Sequence, residues 1–197
     1  MTDSPVILPR IYLIRHGETA WSLSGQHTGR TDIPLTVQGE RDARGLAERL
    51  REVKFSRVFT SPLLRARQTT ELAGLGDVAE IEPDAVEWDY GDYEGRRPED
   101  IRKERPGWNI FEEGCPAGES PVQVSERADR LIARLQSLEG SIALFAHGQF
   151  GRVVGARWIG LLARHAQHFL LSTASISVLG YGHNIRGENA VVSWNCV

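Results

Sequence analysis

The chain has 197 residues, 41% hydrophobic and 25% charged, which is enough for one domain with a sizeable core and short for two. A formal net charge of -3 supplies no general basic field, so broad attraction to nucleic acid or to an anionic membrane is excluded, and any anion must be held by locally placed arginines. Cys115 and Cys196 have neither metal-ligand spacing nor framework value, no stretch approaches the ~20 apolar residues of a membrane span, and the start carries no leader-like pattern. A single domain over residues 1–197 and a cytoplasmic location are expected.

The first element is a buried strand over 11–14 that ends abruptly in Arg15-His16-Gly17. Residues 36–54 then place Ala43, Leu46, Ala47, Leu50 and Val53 at helical spacing among charges, an amphipathic helix. "SRVFTSP" reads as a strand, with Ser61 as N-cap and Pro62 at the first helical position of a segment running to about Ala73, ended by Gly74 and Gly76. The middle reads as loop. Ser120-Pro121-Val122-Gln123 combines proline in the first turn with a capping box, and opens a helix with Val124, Ala128, Leu131, Leu135 and Leu138 on one face. A strand ending at Ala146 follows, then His147-Gly148, a helix over 149–162 that is apolar nearly all round, and strand-like runs at 176–181 and 190–194. This alternation predicts an α/β layered fold with a mainly parallel sheet, in which ligands bind beyond the carboxyl ends of strands.

Both His-Gly pairs stand at such strand ends. If the two strands are neighbours, His16 and His147 face each other with Arg15 beside them, a constellation suited to a tetrahedral oxyanion such as phosphate. Gly17 and Gly148 leave main-chain N–H groups free to approach the anion, the more so where a helix begins. Arg65 and Arg67 are about 200° apart around a helix, so one ligand cannot engage both; Arg65, in the first turn, is the better placed. A neutral imidazole is a competent nucleophile that divides phosphate-ester hydrolysis into two transfers. A proton donor for the leaving alkoxide is then needed, and "VEWDYGDYEG" offers Glu87, Asp89, Asp92 and Glu94, among which local physics does not choose.

"LIRHGETAW", "TDIPLTVQG", "TSPLLRARQT", "EWDYGDYEG" and "FAHGQFGR" together, in this order, resemble the histidine phosphatase superfamily, which includes phosphoglycerate mutases. "SGQHTGRTDIPLT" and "WNIFEEGCPAGES" look closest to its sedoheptulose-bisphosphatase-like and small bacterial acid-phosphatase branch. The resemblance implies a three-layer α/β/α sandwich, His16 as the phosphorylated nucleophile, a clamp of Arg15, Arg65 and His147 on the phosphoryl oxygens, and Glu87 as acid and base. It implies no metal and no cofactor. Ser22 stands where the family usually has Asn, and is shorter in reach. Arg152 matches a substrate-contacting arginine of that branch, Thr28 and Tyr90 correspond to positions near the leaving group in the mutases, and Gly29 and Gly148 are further candidates for binding substrate or phosphate.

The expected activity is metal-independent hydrolysis of small phosphate monoesters, sugar phosphates or bisphosphates, through phosphohistidine. Only about twenty residues separate Gly95 from Cys115, where mutases carry a longer basic insertion, so hydrolysis is favoured over a mutase; a non-catalytic phosphate-binding module is the third reading. The expected partner is a small-molecule phosphate ester, with neither nucleic acid nor membrane, and with a homodimer left open. Cys115 has no Arg six residues on, because Pro121 stands there, and the sequence contains no glycine-rich nucleotide loop. His165 and His168, and the aromatic residues Trp21, Trp88, Tyr93 and Trp108, need only structural explanations.

Overall fold

The computed structural model describes residues 8–197; residues 1–7, and with them the beginning of the segment read as free of a leader, lie outside the described residues. Strands β1 (Arg10–Arg15), β2 (Phe55–Thr60), β3 (Ala79–Ile81), β4 (Ser141–Ala146), β5 (Ile176–Tyr181) and β6 (Asn189–Cys196) form one sheet in the order β3-β2-β4-β1-β5-β6. β1, β2, β3 and β4 pair in parallel, and β5 is antiparallel to both β1 and β6. The sheet is therefore mostly parallel, as the alternation of elements predicts.

Side-chain alternation along the central strands creates two buried faces. In β1, Ile11 and Leu13 join one apolar cluster and Ile14 the other; in β4, Ile142 and Leu144 oppose Ala143 and Phe145. A sheet apolar on both faces must be covered on both, which gives three layers. The helices are α1 (Ala20–Ser24), α2 (Val37–Leu50), α3 (Leu64–Leu72), α4 (Pro98–Glu104), α5 (Ile110–Glu113), α6 (Pro121–Gln136) and α7 (Gly148–Trp158). Val124, Leu131 and Leu135 of α6 and Val153 of α7 cover the first face, and Leu46 and Leu50 of α2 cover the second.

The capping signals explain most boundaries. Thr36 accepts the Gly39 N–H at the start of α2, and Ser120 and Gln123 form the expected capping box of α6. Several ends differ from the sequence reading. α2 stops at Leu50, leaving Val53 outside, and α7 stops at Trp158, shortly before Gly160 turns left-handed at φ 78. Ser61 is not the N-cap of α3; Leu63 is, without a side-chain cap, and the Ser61 hydroxyl has another partner. The middle is not only loop, since it contains β3, α4 and α5. α4 buries only Ile101 and α5 only Ile110 and Phe111, too few residues for periodicity to register. His165 and His168 sit in a 3-10 stretch, Ala163–His168.

Candidate active site

β1 and β4 are adjacent, with Arg15 opposite Ala146, so the next residue of each strand emerges at the same edge. The His16 and His147 rings lie there with centroids 5.2 Å apart and planes at 58°. His147 also occupies the N-cap position of α7, whose first turn is Gly148-Gln149-Phe150. A Cβ on Gly148 would lie 3.2 Å from the Arg15 Cζ, so the glycine makes room for the guanidinium against the helix start.

His16 Nδ1 is 2.7 Å from the Gly17 carbonyl oxygen. A carbonyl only accepts, so Nδ1 carries the proton and Nε2 keeps its lone pair. Burial, then Arg65 and Arg15, hold the His16 pKa well below 6.5, and burial with Arg65, His16 and Arg15 does the same for His147. His147 Nε2 lies 2.7 Å from Ser61 Oγ, which also accepts the Leu63 N–H at 3.3 Å. Arg65 is 0% exposed and Arg67 is exposed, which separates the two candidates as the helical geometry predicts. Arg65 donates to the carbonyls of Thr31 at 3.1 Å, Thr28 at 3.0 Å and Gly29 at 2.9 Å, and Arg15 donates to that of Leu171. Arg15 Nε, Arg65 Nε and His147 Nδ1 are nevertheless buried without a hydrogen-bond partner in the protein. Buried polar groups are nearly always partnered, so three such atoms around one imidazole mark a site shaped for an anion.

The structure separates the four carboxylates. Asp89 accepts from Gly91 N and pairs with Arg30, Glu94 accepts from Gly29 N and Thr31 N, and Asp92 is exposed. Glu87 alone among them lines the cleft, and it is 4% exposed. Its oxygens accept from Trp88 N at 2.8 Å, Phe150 N at 2.7 Å and Gln149 N at 3.0 Å, so it caps the first turn of α7.

The cleft has a volume of about 190 Å³, and His16, Arg15, Ser22, Thr28, Tyr90, Gly148 and Arg152 line it. Arg65 and His147 stand wholly buried behind it. Ser22 spends its hydroxyl on Thr19, accepting from its N–H at 2.9 Å and donating to its carbonyl at 3.0 Å, which caps α1. Gly29 is not in the wall; its carbonyl holds Arg65, and a Cβ there would lie 2.5 Å from a Glu94 oxygen. Arg152 is braced by the carbonyls of Ala166 at 3.1 Å and Gln167 at 2.8 Å and by Gln149 Oε1 at 2.9 Å.

Sequence reasoning missed Gln26, His27 and Gln149, which also line the cleft. Gln26 and His27 lie within the quoted block "SGQHTGRTDIPLT" and Gln149 within "FAHGQFGR", and that membership is the signal that could have found them. Trp21, Trp88, Tyr93 and Trp108 are absent from the wall; Trp88, Tyr93 and Trp108 belong to the core. Among the described residues no three His, Cys, Asp or Glu side chains cluster as metal ligands. Burial, with Asp89 and Glu94 nearby, pushes the Cys115 thiol up to about 12, which leaves it unreactive.

Residues 11–197 match the family model described as Histidine phosphatase superfamily (branch 1). An acid phosphatase of Mycobacterium tuberculosis is 42% identical over 181 residues, covering 90% of this chain and 89% of its own. The sedoheptulose 1,7-bisphosphatase of Saccharomyces cerevisiae is 40% identical over 190 residues, covering 80% of this chain and 70% of its own. The solved structure of an open reading frame of Mycobacterium tuberculosis superposes with a TM-score of 0.89 at 38% identity, covering 95% of this chain and 97% of that one.

Proposed function

The chain belongs to the histidine phosphatase superfamily, and on that premise we propose that it is a metal-independent phosphoric monoester hydrolase, of the histidine acid-phosphatase type, acting on small sugar-derived phosphate esters. The observation that carries the reading is the set of buried unpartnered nitrogens, Arg15 Nε, Arg65 Nε and His147 Nδ1, around an imidazole whose Nε2 is free to attack.

In the first transfer, His16 Nε2 forms a bond to phosphorus while the bond to the ester oxygen breaks. Arg15, Arg65 and His147 stabilise the equatorial oxygens, and Glu87 gives its proton to the leaving alkoxide. In the second, Glu87 takes a proton from water, the water oxygen bonds to phosphorus, and the P–N bond breaks to release phosphate and His16. Two in-line displacements retain configuration at phosphorus. The wall of Gln26, His27, Tyr90, Gln149 and Arg152 supports a hydroxyl-rich leaving group, since each side chain offers a donor or an acceptor at the cleft.

A panel of sugar phosphates and p-nitrophenyl phosphate, assayed in EDTA beside His16→Ala, tests this. Phosphate release in EDTA by the wild type and none by His16→Ala is expected. Equal rates in the two proteins would remove His16 from the mechanism; loss in EDTA would bring a metal in. Product isomerisation without phosphate release would make the enzyme a mutase, and phosphate binding without turnover would make it a binding module.

A further inference from the structure

The sheet-facing stripe of α6, Val124, Ala128, Leu131, Ile132 and Leu135, is interrupted by a charged residue, Arg127, which is only 6% exposed. A guanidinium has five N–H donors, and here each meets an acceptor. Nε and Nη2 donate to the two oxygens of Glu119 at 2.8 Å and 2.7 Å, Nη1 donates to the carbonyls of Asp84 and Val86 at 2.8 Å each, and Nη2 also donates to that of Glu87 at 3.3 Å. The Arg127 Cζ stands 4.1 Å from the centroid of the Phe150 ring. Burying an ion pair is costly, and a site at which every donor is used implies a geometric purpose rather than a simple gain in stability.

All of these contacts converge on one side chain. Asp84, Val86 and Glu87 are the main chain from which the Glu87 carboxylate hangs. Glu119 binds the following residues: its side chain accepts from Asp89 N at 2.9 Å, and its carbonyl accepts from Trp88 Nε1 at 2.9 Å. Phe150, beneath the guanidinium, supplies the N–H that donates to Glu87 Oε1. Arg127 thus grips both the backbone that presents Glu87 and the ring of the residue that receives it, yet it is not part of the cleft wall.

We propose that Arg127, locked to Glu119, is a positioning residue that fixes the Glu87 carboxyl at the leaving-group oxygen; this rests on the reading of Glu87 as proton donor. A donor matters in proportion to how badly the leaving group needs a proton. An alkyl phosphate needs one, whereas 2,4-dinitrophenyl phosphate does not. Since a placed general acid contributes roughly 10²–10⁴-fold, a displaced one loses part of that on alkyl esters alone.

The test compares kcat/KM on glycerol phosphate and on 2,4-dinitrophenyl phosphate for wild type, Glu87→Gln, Arg127→Lys, Glu119→Gln and the double variant Glu87→Gln/Arg127→Lys, each checked for folding by circular dichroism. Lysine keeps the charge but has three donors from one point, so it cannot reach all five acceptors. Arg127→Lys is expected to lose about tenfold or more on the alkyl ester and less than about threefold on the aryl ester, and to cost nothing further in the Glu87→Gln background. Glu119→Gln carries the same expectation and decides the matter should Arg127→Lys not fold. Equal losses on both esters, or additive losses in the double variant, would reduce Arg127 to general scaffolding while leaving Glu87 as the acid. Equal losses on both esters in Glu87→Gln itself would instead overturn the reading of Glu87, and the positioning role with it.

Discussion

The Nδ1 of His16 donates to the carbonyl of Gly17 at 2.7 Å, a contact between neighbours in sequence that leaves Nε2 as the attacking nitrogen in the proposed mechanism. The phosphoryl group is therefore expected on Nε2. Brief mixing with excess p-nitrophenyl phosphate, alkaline quench and ³¹P NMR of the digested protein should give the signal of the Nε2 isomer. The Nδ1 isomer would contradict the geometry.

The pKa of His16 bears on how acid the medium can become before activity fails. Burial comes first and the charges of Arg65 and Arg15 second, and all three hold it well below 6.5. An imidazole is nucleophilic when neutral, which is above its pKa, so under the proposed mechanism His16 stays competent to attack as pH falls through 6.5. Removing one positive neighbour raises that pKa. In Arg15→Gln, besides an overall loss of rate, the acid limb of kcat/KM should shift to higher pH, measured with one substrate so that the ester's own ionisation cancels. A limb that stays in place, or shifts to lower pH, would mean that it does not belong to His16.

His27 makes the same argument for stability. It stacks on Tyr90 with centroids 4.3 Å apart, its Nε2 is buried without a partner, and burial with the charge of Arg102 pushes its pKa down to about 4 from 6.5. Between those two values the unfolded chain binds the proton and the folded chain does not. Stability is therefore fully present above pH 6.5 and falls as pH drops toward 4, by about 3 kcal/mol for this group. His27→Phe keeps the stack and has nothing to titrate. Urea midpoints at pH 7 and pH 4.5 should lie closer together in the variant than in the wild type, where His16 and His147 contribute with the same sign.

How much of this was legible depended on whether a local pattern carried the information. The two apolar strands ending in His-Gly announced the site, because a strand's end is visible in one dimension; their adjacency needed β4 to insert between β2 and β1, which no local pattern encodes. Arg65 was separable from Arg67 by helical angle alone. Ser61 was misread as the N-cap because α3 begins two residues later than the Ser-Pro signal suggests, and its contact with His147 spans 86 positions of chain that no local pattern shows. Gly29, a candidate substrate or phosphate contact in the sequence, turns its carbonyl to Arg65. Arg127 did leave a trace, a charge in register with Val124 and Leu131 on an otherwise apolar stripe. The secondary structure of residues 83–118, unlike the Glu87 motif within it, was opaque because its order comes from single buried anchors, such as Ile101 and Trp108, rather than from any period.

Two glycines on neighbouring stretches should respond to alanine in opposite directions. The segment after His16 packs against the start of α2, where Thr36 N donates to the Glu18 carbonyl at 2.9 Å, and against α3, where Gly17 N donates to Thr69 Oγ1 at 3.0 Å. A Cβ on Gly17 would lie 2.5 Å from the Gly39 carbonyl oxygen, which is backbone in the first turn of α2 and has no rotamer by which to withdraw. Either α2 or the Gly17 carbonyl must move, and that carbonyl is the acceptor that orients His16. Overpacking of this kind costs about 1–3 kcal/mol, so in a chain of this size Gly17→Ala should lower Tm by roughly 2–12 °C, and kcat should fall further than the stability loss explains. Gly45, in the interior of the same helix, is exposed and has nothing within 4 Å of an added Cβ. There alanine removes only the conformational freedom of the unfolded chain, and Gly45→Ala should stabilise by about 0.5–1 kcal/mol with kcat unchanged. Paired melting curves and initial rates check both; an active, unshifted Gly17→Ala would show that the turn after His16 yields without disturbing the imidazole.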